Sequence, residues 1–482
     1  MRHFSSQEDA TLAELGRRRR WRWLLVSVCA LVLLVGLLRL RRHPGPASAS
    51  AAAESALPGA AARGPTLEPV RRQNRPAQAA LAPARSPEEI VAGKLAHFAQ
   101  SRRELAHALA QRQHVPVSPD VERFFDAVAS GKWEEIQAAY EKMKGGELNA
   151  NSWTPEVKAA WSAIKDAYGA AEQVHLWPAQ KLLDYGNTIL DALRPGMVYV
   201  GGTDPGRWIP ELLNDTSDGE RHVMLTQNAL ADGQYVDYLK LQYAEGLSHL
   251  TEDESKSAFE EYLQDAQRRF EHDQEFPNEP KQVRPGEDIH KTDGNMQVGG
   301  QVAVMAINEL LLLRLMRKNP DTSFALEESF PLKNTYADAL PLGPLMELRA
   351  RDDQNPFTAD RAAQSLDYWR NRTQEMLSDA DAVVSPDVLK SYSHDAVAAA
   401  NLLAAHSYDG EAEEAYRLAA RLWPENAGAT TGLAGLFADF GREGEARQLL
   451  DDFARKYPDL QKGLEQSSAA TRLRWTATMP KR

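Results

Sequence analysis

The densest polar signature in the chain is the run Gly201-Gly202-Thr203-Asp204-Pro205-Gly206-Arg207. It follows the apolar segment Met197-Val198-Tyr199-Val200 and precedes a helix-like stretch from Arg207 to Leu213. In that setting, backbone amides and a helix N-terminus can hold an anion. The spacing from Gly201 to Gly206 resembles a phosphate loop, but Arg207-Trp208 stands where such a loop needs Lys followed by Ser or Thr. The competing reading is a tight turn in which Asp204 caps the helix and the glycines supply positive φ. A second apolar run, His222 to Thr226, leads into Gln227-Asn228 and a helix near Ala231 to Ala244. Adjacent parallel strands share one carboxyl edge, so Asp204, Arg207, Gln227 and Asn228 would meet there, with Gly201, Gly202, Thr203, Gly206 and Thr226 lining the same edge. These groups suit a sugar or a phosphate; alternatively, the amides cap loops.

Other titratable residues carry less. His272, His290, Asp288, Asp293, Glu327 and Glu328 show no ligand spacing such as HExxH and read as solvated charges. There is no GxSxG elbow, and the one cysteine, Cys29, sits in an apolar run. The sequence therefore assigns no catalytic residue, no metal and no cofactor, and the enzyme question leans towards no.

The elements that must position these residues begin with composition. The chain has 482 residues, 43% apolar and 26% charged, enough for two or three globular regions plus linker. A single cysteine excludes an intrachain disulfide framework and an all-cysteine zinc site. The net charge of -12 is uneven: residues 1–43 hold nine Arg against three acids, and the rest hold 47 Lys and Arg against 65 Asp and Glu. So acidic a body argues against a general nucleic-acid binder.

Trp23 to Leu38 is uncharged and apolar, and the flanking arginines can stretch it to a bilayer span. A basic 1–22 segment, a transmembrane signal-anchor over 23–40 and an Ala/Pro-rich disordered linker over 44–86 are predicted. The alternative is a cleaved secretory signal with Ala47-Ser48-Ala49 as its site; Arg39, Arg41 and Arg42 directly after the apolar run favour the anchor. The excess of arginine before the span predicts a single-pass inner-membrane protein with its N-terminus cytoplasmic and its body periplasmic.

Residues 87–190 read as a helical region, with Ser118-Pro119 as a start signal. Residues 191–352 read as a small parallel or mixed α/β domain. Late strand candidates are Ser323 to Glu328 and Leu345 to Arg349, and 273–300 reads as an ordered surface loop or flap. Residues 356–465 read as helical repeats. Ala412, Tyr416, Ala419 and Pro424 recur 34 positions later as Ala446, Leu450, Phe453 and Pro458. This spacing over 393–460 resembles the tetratricopeptide repeat, whose small residues let paired helices pack closely. The fold class expected is thus α/β plus all-α with one transmembrane helix.

Four segments, MVYVGGTDPGRWIPELL, VMLTQNALADGQYVDYL, NMQVGGQVAVMAINELL and FALEESFPLKNTYADALPLGPLMELR, together resemble the extramembrane C-terminal domain of an uncharacterised family of bacterial glycosyltransferase-like membrane proteins, which often end in tetratricopeptide repeats. The resemblance implies that Gly202 to Pro205, Gln227-Asn228 and Glu328 to Tyr336 are family features. Here one predicted span stands where those proteins have many. The function expected is a membrane-anchored extracytoplasmic scaffold that binds a protein or peptide through its repeats. The alternative is an accessory or residual glycosyltransferase-related enzyme of envelope assembly that binds a sugar or phosphate, such as a glycan or lipid-linked sugar, at the 201–207/226–228 edge.

Overall fold

The computed structural model describes residues 85–144, 153–202, 205–243, 246–284, 286–292, 295–327, 338–348, 356–461 and 463–464. The predicted anchor at 23–40, the linker up to residue 84, Cys29, Thr203, Asp204, Asp293, Glu328 and the 328–336 segment lie outside them.

The first helices form because each has a local start signal. Helix α1 (Pro87–Arg112) opens on a capping box: Ser86 Oγ accepts from the Glu89 amide at 3.2 Å, and the Glu89 carboxylate accepts from the Ser86 amide at 3.0 Å. Helices α2 (Pro119–Ser130) and α4 (Pro155–Leu176) start at Ser118 and Thr154, each with proline in the first turn. Between them lies α3 (Trp133–Lys144), and α5 (Ala179–Ala192) follows. The aromatic stripe of α2, Phe124 and Phe125, is wholly buried, so it is core.

A five-stranded sheet comes next, in the order β2-β1-β5-β7-β6. Strand β1 (Val198–Gly201) pairs parallel with β2 (Val223–Thr226) and with β5 (Phe324–Leu326). Strand β7 (Leu345–Leu348) runs antiparallel to β5, and β6 (Leu340–Leu342) antiparallel to β7, which makes the sheet mixed. Helices α6 (Pro205–Asp215) and α7 (Gly233–Gln242) follow β1 and β2. Then come α8 (Glu252–Glu275), the ribbon β3 (Asp288–Thr292) with β4 (Asn295–Gly299), and α9 (Gln301–Lys318). The ribbon corrects the expected loop over 273–300: Ile289 sits opposite Val298, and both pack on the core.

Helices α10 (Ala359–Ser378), α11 (Ala380–Val383), α12 (Pro386–Ala405), α13 (Asp409–Leu422), α14 (Ala427–Asp439) and α15 (Glu443–Lys456) complete the chain, with a 3-10 turn over Pro458–Leu460. Ala412, Tyr416 and Ala419 are fully buried, and Ala446 and Phe453 nearly so, whereas Leu450 is half-buried. Pro424 and Pro458 lie just beyond α13 and α15. The approach is close: a Cβ on Gly432 would stand 2.3 Å from the Tyr416 ring. Helix α12 packs on β6 and β7, and Tyr392 meets Tyr185 of α5 edge-on at 5.2 Å, so the C-terminal helices are seated on the sheet-bearing body.

The fold class expected from the sequence, α/β plus all-α with one transmembrane helix, needs correction. The described residues are mostly helical, with 15 helices and a small mixed sheet, and no helix among them is long and apolar enough to cross a membrane. The strands are only three to five residues long, so the helices that cover them outweigh them. The leucine-rich helix α9 is interrupted by Asn308, Glu309 and Arg314. Its Asn308 amide serves the interior, accepting from the Ala231 amide at 3.0 Å and donating to the Val304 carbonyl at 2.8 Å.

Candidate functional site at the carboxyl edge of the sheet

Strand β1 delivers Gly201 and Gly202 to the edge because Val198 to Val200 are buried between helices and fix its register. Neither glycine, nor Gly206, has a positive φ. What requires glycine here is close approach. A Cβ on Gly201 would lie 2.9 Å from the Gly206 carbonyl, and one on Gly206 would lie 1.8 Å from the Glu327 carboxylate. The Tyr199 hydroxyl donates to that same Gly206 carbonyl and holds the start of α6 down.

Glu327, directly after β5, is the anchor of the edge. It is buried, and its two carboxylate oxygens accept from the Tyr185 hydroxyl at 2.9 Å and the Gly202 amide at 3.0 Å. Burial pushes the Tyr185 hydroxyl well above its usual range, with the charges of Asp395 and Glu327 adding to the effect, so it remains a donor. Glu327 is therefore not the solvated charge that the sequence suggested.

Beside it, the Gln227 amide nitrogen of the backbone donates to the Gly201 carbonyl at 3.0 Å. The Gln227 side chain is wholly buried, and neither its oxygen nor its nitrogen has a hydrogen-bond partner among the described residues. The Thr226 amide donates to the Tyr235 hydroxyl at 2.8 Å. Asn228 is half-buried at the rim.

Arg207 does not join this edge. Its guanidinium is buried in the helical layer, where it pairs with Asp166 of α4 and approaches Glu211 at 3.7 Å. Arg102 of α1 enters the same cluster from the other side, donating at 2.7 Å to both Glu211 and Asp215. Two guanidinium groups thus share three carboxylates in a region walled by Tyr235, Tyr238 and Trp208. With every group ionised the cluster would carry one excess negative charge. One proton on a carboxylate makes it neutral. Burial first, and Asp166 second, push Glu211 up to about 8, against the opposing pull of Arg102 and Arg207. For Arg207, burial opposes the charge, but Asp166 and Glu211 outweigh it and raise its pKa.

Of the four side chains expected to converge, then, Gln227 and Asn228 lie at the edge, Arg207 is drawn away from it, and Asp204 lies outside the described residues. The residues that organise the region, Tyr185, Asp166, Arg102 and Glu211, belong to no motif in the sequence. Asp166 carried the one legible signal: a carboxylate on the stripe of α4 shared with Ala163, Ala167 and Ala170, which only a buried cation would tolerate. His290 bonds Asp288 and Gln297 on the ribbon, and His272 pairs with Asp273 and Glu279. No group of three or more His, Cys, Asp or Glu among the described residues could hold a metal ion. The edge can accept and donate hydrogen bonds, but its charges are spent internally.

No protein-family model, curated protein or solved structure matches this chain.

Proposed function

We propose that the protein is a non-catalytic binding protein whose C-terminal helical arm, residues 356–456, meets a protein partner while the sheet-bearing body supports it. One observation carries this reading. Among the described residues four large apolar side chains are exposed, and three of them, Val383, Val384 and Phe440, belong to the arm. Phe440, 52% exposed, stands at the end of α14 beside Gly441, whose φ of 71° turns the chain there. An aromatic side chain projecting from a rigid helical pair is the kind of anchor that partners bury. The flanks of the arm suit contact less. Arg370 pairs with Glu414, and Arg442 with Glu413 and Glu445, so those charges already satisfy one another.

The test is site-specific photocrosslinking of the full chain in its native cells, with the reactive residue at position 384, 440 or 268. Arg268 is a comparably exposed site on α8 of the body. The reading expects one discrete adduct from 384 or 440, lost on Phe440→Asp when the reactive residue is at 384, and none from 268. Equal labelling from all three positions, or none from the arm, refutes it.

A further inference from the structure

A cleft of about 280 Å³ opens where the β6–β7 hairpin meets α10, lined by none of the carboxyl-edge residues described above. Its composition is unusual for this acidic chain. Helix α10 contributes Arg361, Gln364, Ser365 and Tyr368, whose spacing of three, four and seven places them on one helical face. Across the cleft, Glu347 of β7 is buried and neutralised by an ion pair with Arg194, which follows α5. The hairpin backbone over 340–343 forms the floor, turning at Gly343 with φ 61°.

Two groups are left over. The Arg361 guanidinium, half-buried, has no carboxylate partner among the described residues; its residue is otherwise engaged only through the backbone amide, which donates to Thr358. The Tyr368 hydroxyl is shielded from solvent; the Arg372 guanidinium can only donate to it, so the hydroxyl proton has no acceptor among the described residues. Its neighbour Arg372 lies over the ring, 5.7 Å from the centroid, and pairs with Glu375. A buried hydroxyl proton without an acceptor is costly, and an unpaired guanidinium in a concave site is a ready receptor for a planar or tetrahedral oxyanion. With Glu347 cancelled by Arg194, Arg361 leaves the cleft with a net positive charge, in a chain whose residues 44–482 carry 65 acids against 47 bases.

We propose that this cleft binds a small oxyanion-bearing molecule, its carboxylate or phosphate held by Arg361 and the Tyr368 hydroxyl. The volume admits roughly ten non-hydrogen atoms, given about 30 Å³ for each water-sized unit. Gln364 and Ser365 lie on the same helical face, where they can bond the neutral part of the ligand. The proposal goes beyond the partner reading of the arm and does not depend on it.

Isothermal titration of the full-length chain with inorganic phosphate and, separately, with succinate tests it. At least one probe should saturate at one site per chain, and the stronger of the two identifies the anion source. Arg361→Gln should weaken that binding by about tenfold or more, since a charge-assisted bond is lost. Arg447→Gln, on an exposed face of α15, should leave it unchanged. Tyr368→Phe removes a hydroxyl whose proton has no acceptor in the free protein, so it should weaken binding with little change in the melting temperature. This second variant keeps the test decisive if Arg361→Gln does not fold. Lack of saturation with both probes overturns the proposal, as does wild-type affinity in either cleft variant.

Discussion

The buried cluster around Glu211 makes a prediction whose size follows from its geometry. Two guanidinium groups face three carboxylates, and neutrality requires one proton, which burial and Asp166 place on Glu211 by raising it to about 8 from an ordinary 4.5. A carboxyl that binds its proton more tightly when folded stabilises the native state fully below its unfolded value. That stability is lost as pH rises towards the folded value. One proton taken up on folding changes stability by about 1.4 kcal/mol per pH unit, so the loss between pH 5 and 8 is on the order of 4 kcal/mol. Glu211→Gln keeps the shape and the acceptor for Arg102 but cannot ionise. The variant should match the wild type within about 1 kcal/mol at pH 5 and exceed it by several kcal/mol at pH 8. Urea unfolding of both full chains at each pH, followed by tryptophan fluorescence, reads the difference directly, because every other titrating group is common to the two. Parallel pH profiles would show that Glu211 is ionised in the fold and would refute the charge count. A variant several kcal/mol weaker at pH 5 would refute it equally.

Two further substitutions probe the carboxyl edge. Gly206→Ala places a methyl group 1.8 Å from the Glu327 carboxylate, which Tyr185 and the Gly202 amide hold in place, so it should cost about 1–3 kcal/mol in thermal or urea unfolding; no change would mean that Glu327 moves freely. Gln227→Met replaces a fully buried amide without partners by an apolar side chain of similar length, and should raise stability by about 1 kcal/mol. A loss of stability there would show that the amide bonds something, a water or a ligand included.

Much of the local architecture was legible in the residues. Ser118-Pro119 announces α2, and Gly131, with φ 69°, ends it; both act within a turn of the helix they bound. The apolar runs Val198–Val200 and Val223–Leu225 read as strands because they are short, apolar and bounded by turn residues. The 34-residue spacing located the small residues Ala412, Ala419 and Ala446 that the C-terminal helices bury. The ribbon at 288–299 was not legible: β3 has one apolar residue, Ile289, and the short alternation of Met296 and Val298 in β4 sits among Pro, Gly, Asp and Asn that read as loop.

At the site, the sequence by itself determined which polar types stand after β1 and β2, and that glycine is needed there. It did not determine why. The glycines pack against Glu327 and Tyr199 without a positive φ, and Arg207 pairs with Asp166 in the helical layer. Only the tertiary structure decides this, because the partners are remote: 41 residues separate Arg207 from Asp166, 109 separate Arg102 from Glu211, and 142 separate Tyr185 from Glu327. A cap or a strand is specified by neighbours along the chain. A buried charge is tolerable only beside its counter-charge, and the chain's path through space chooses that neighbour.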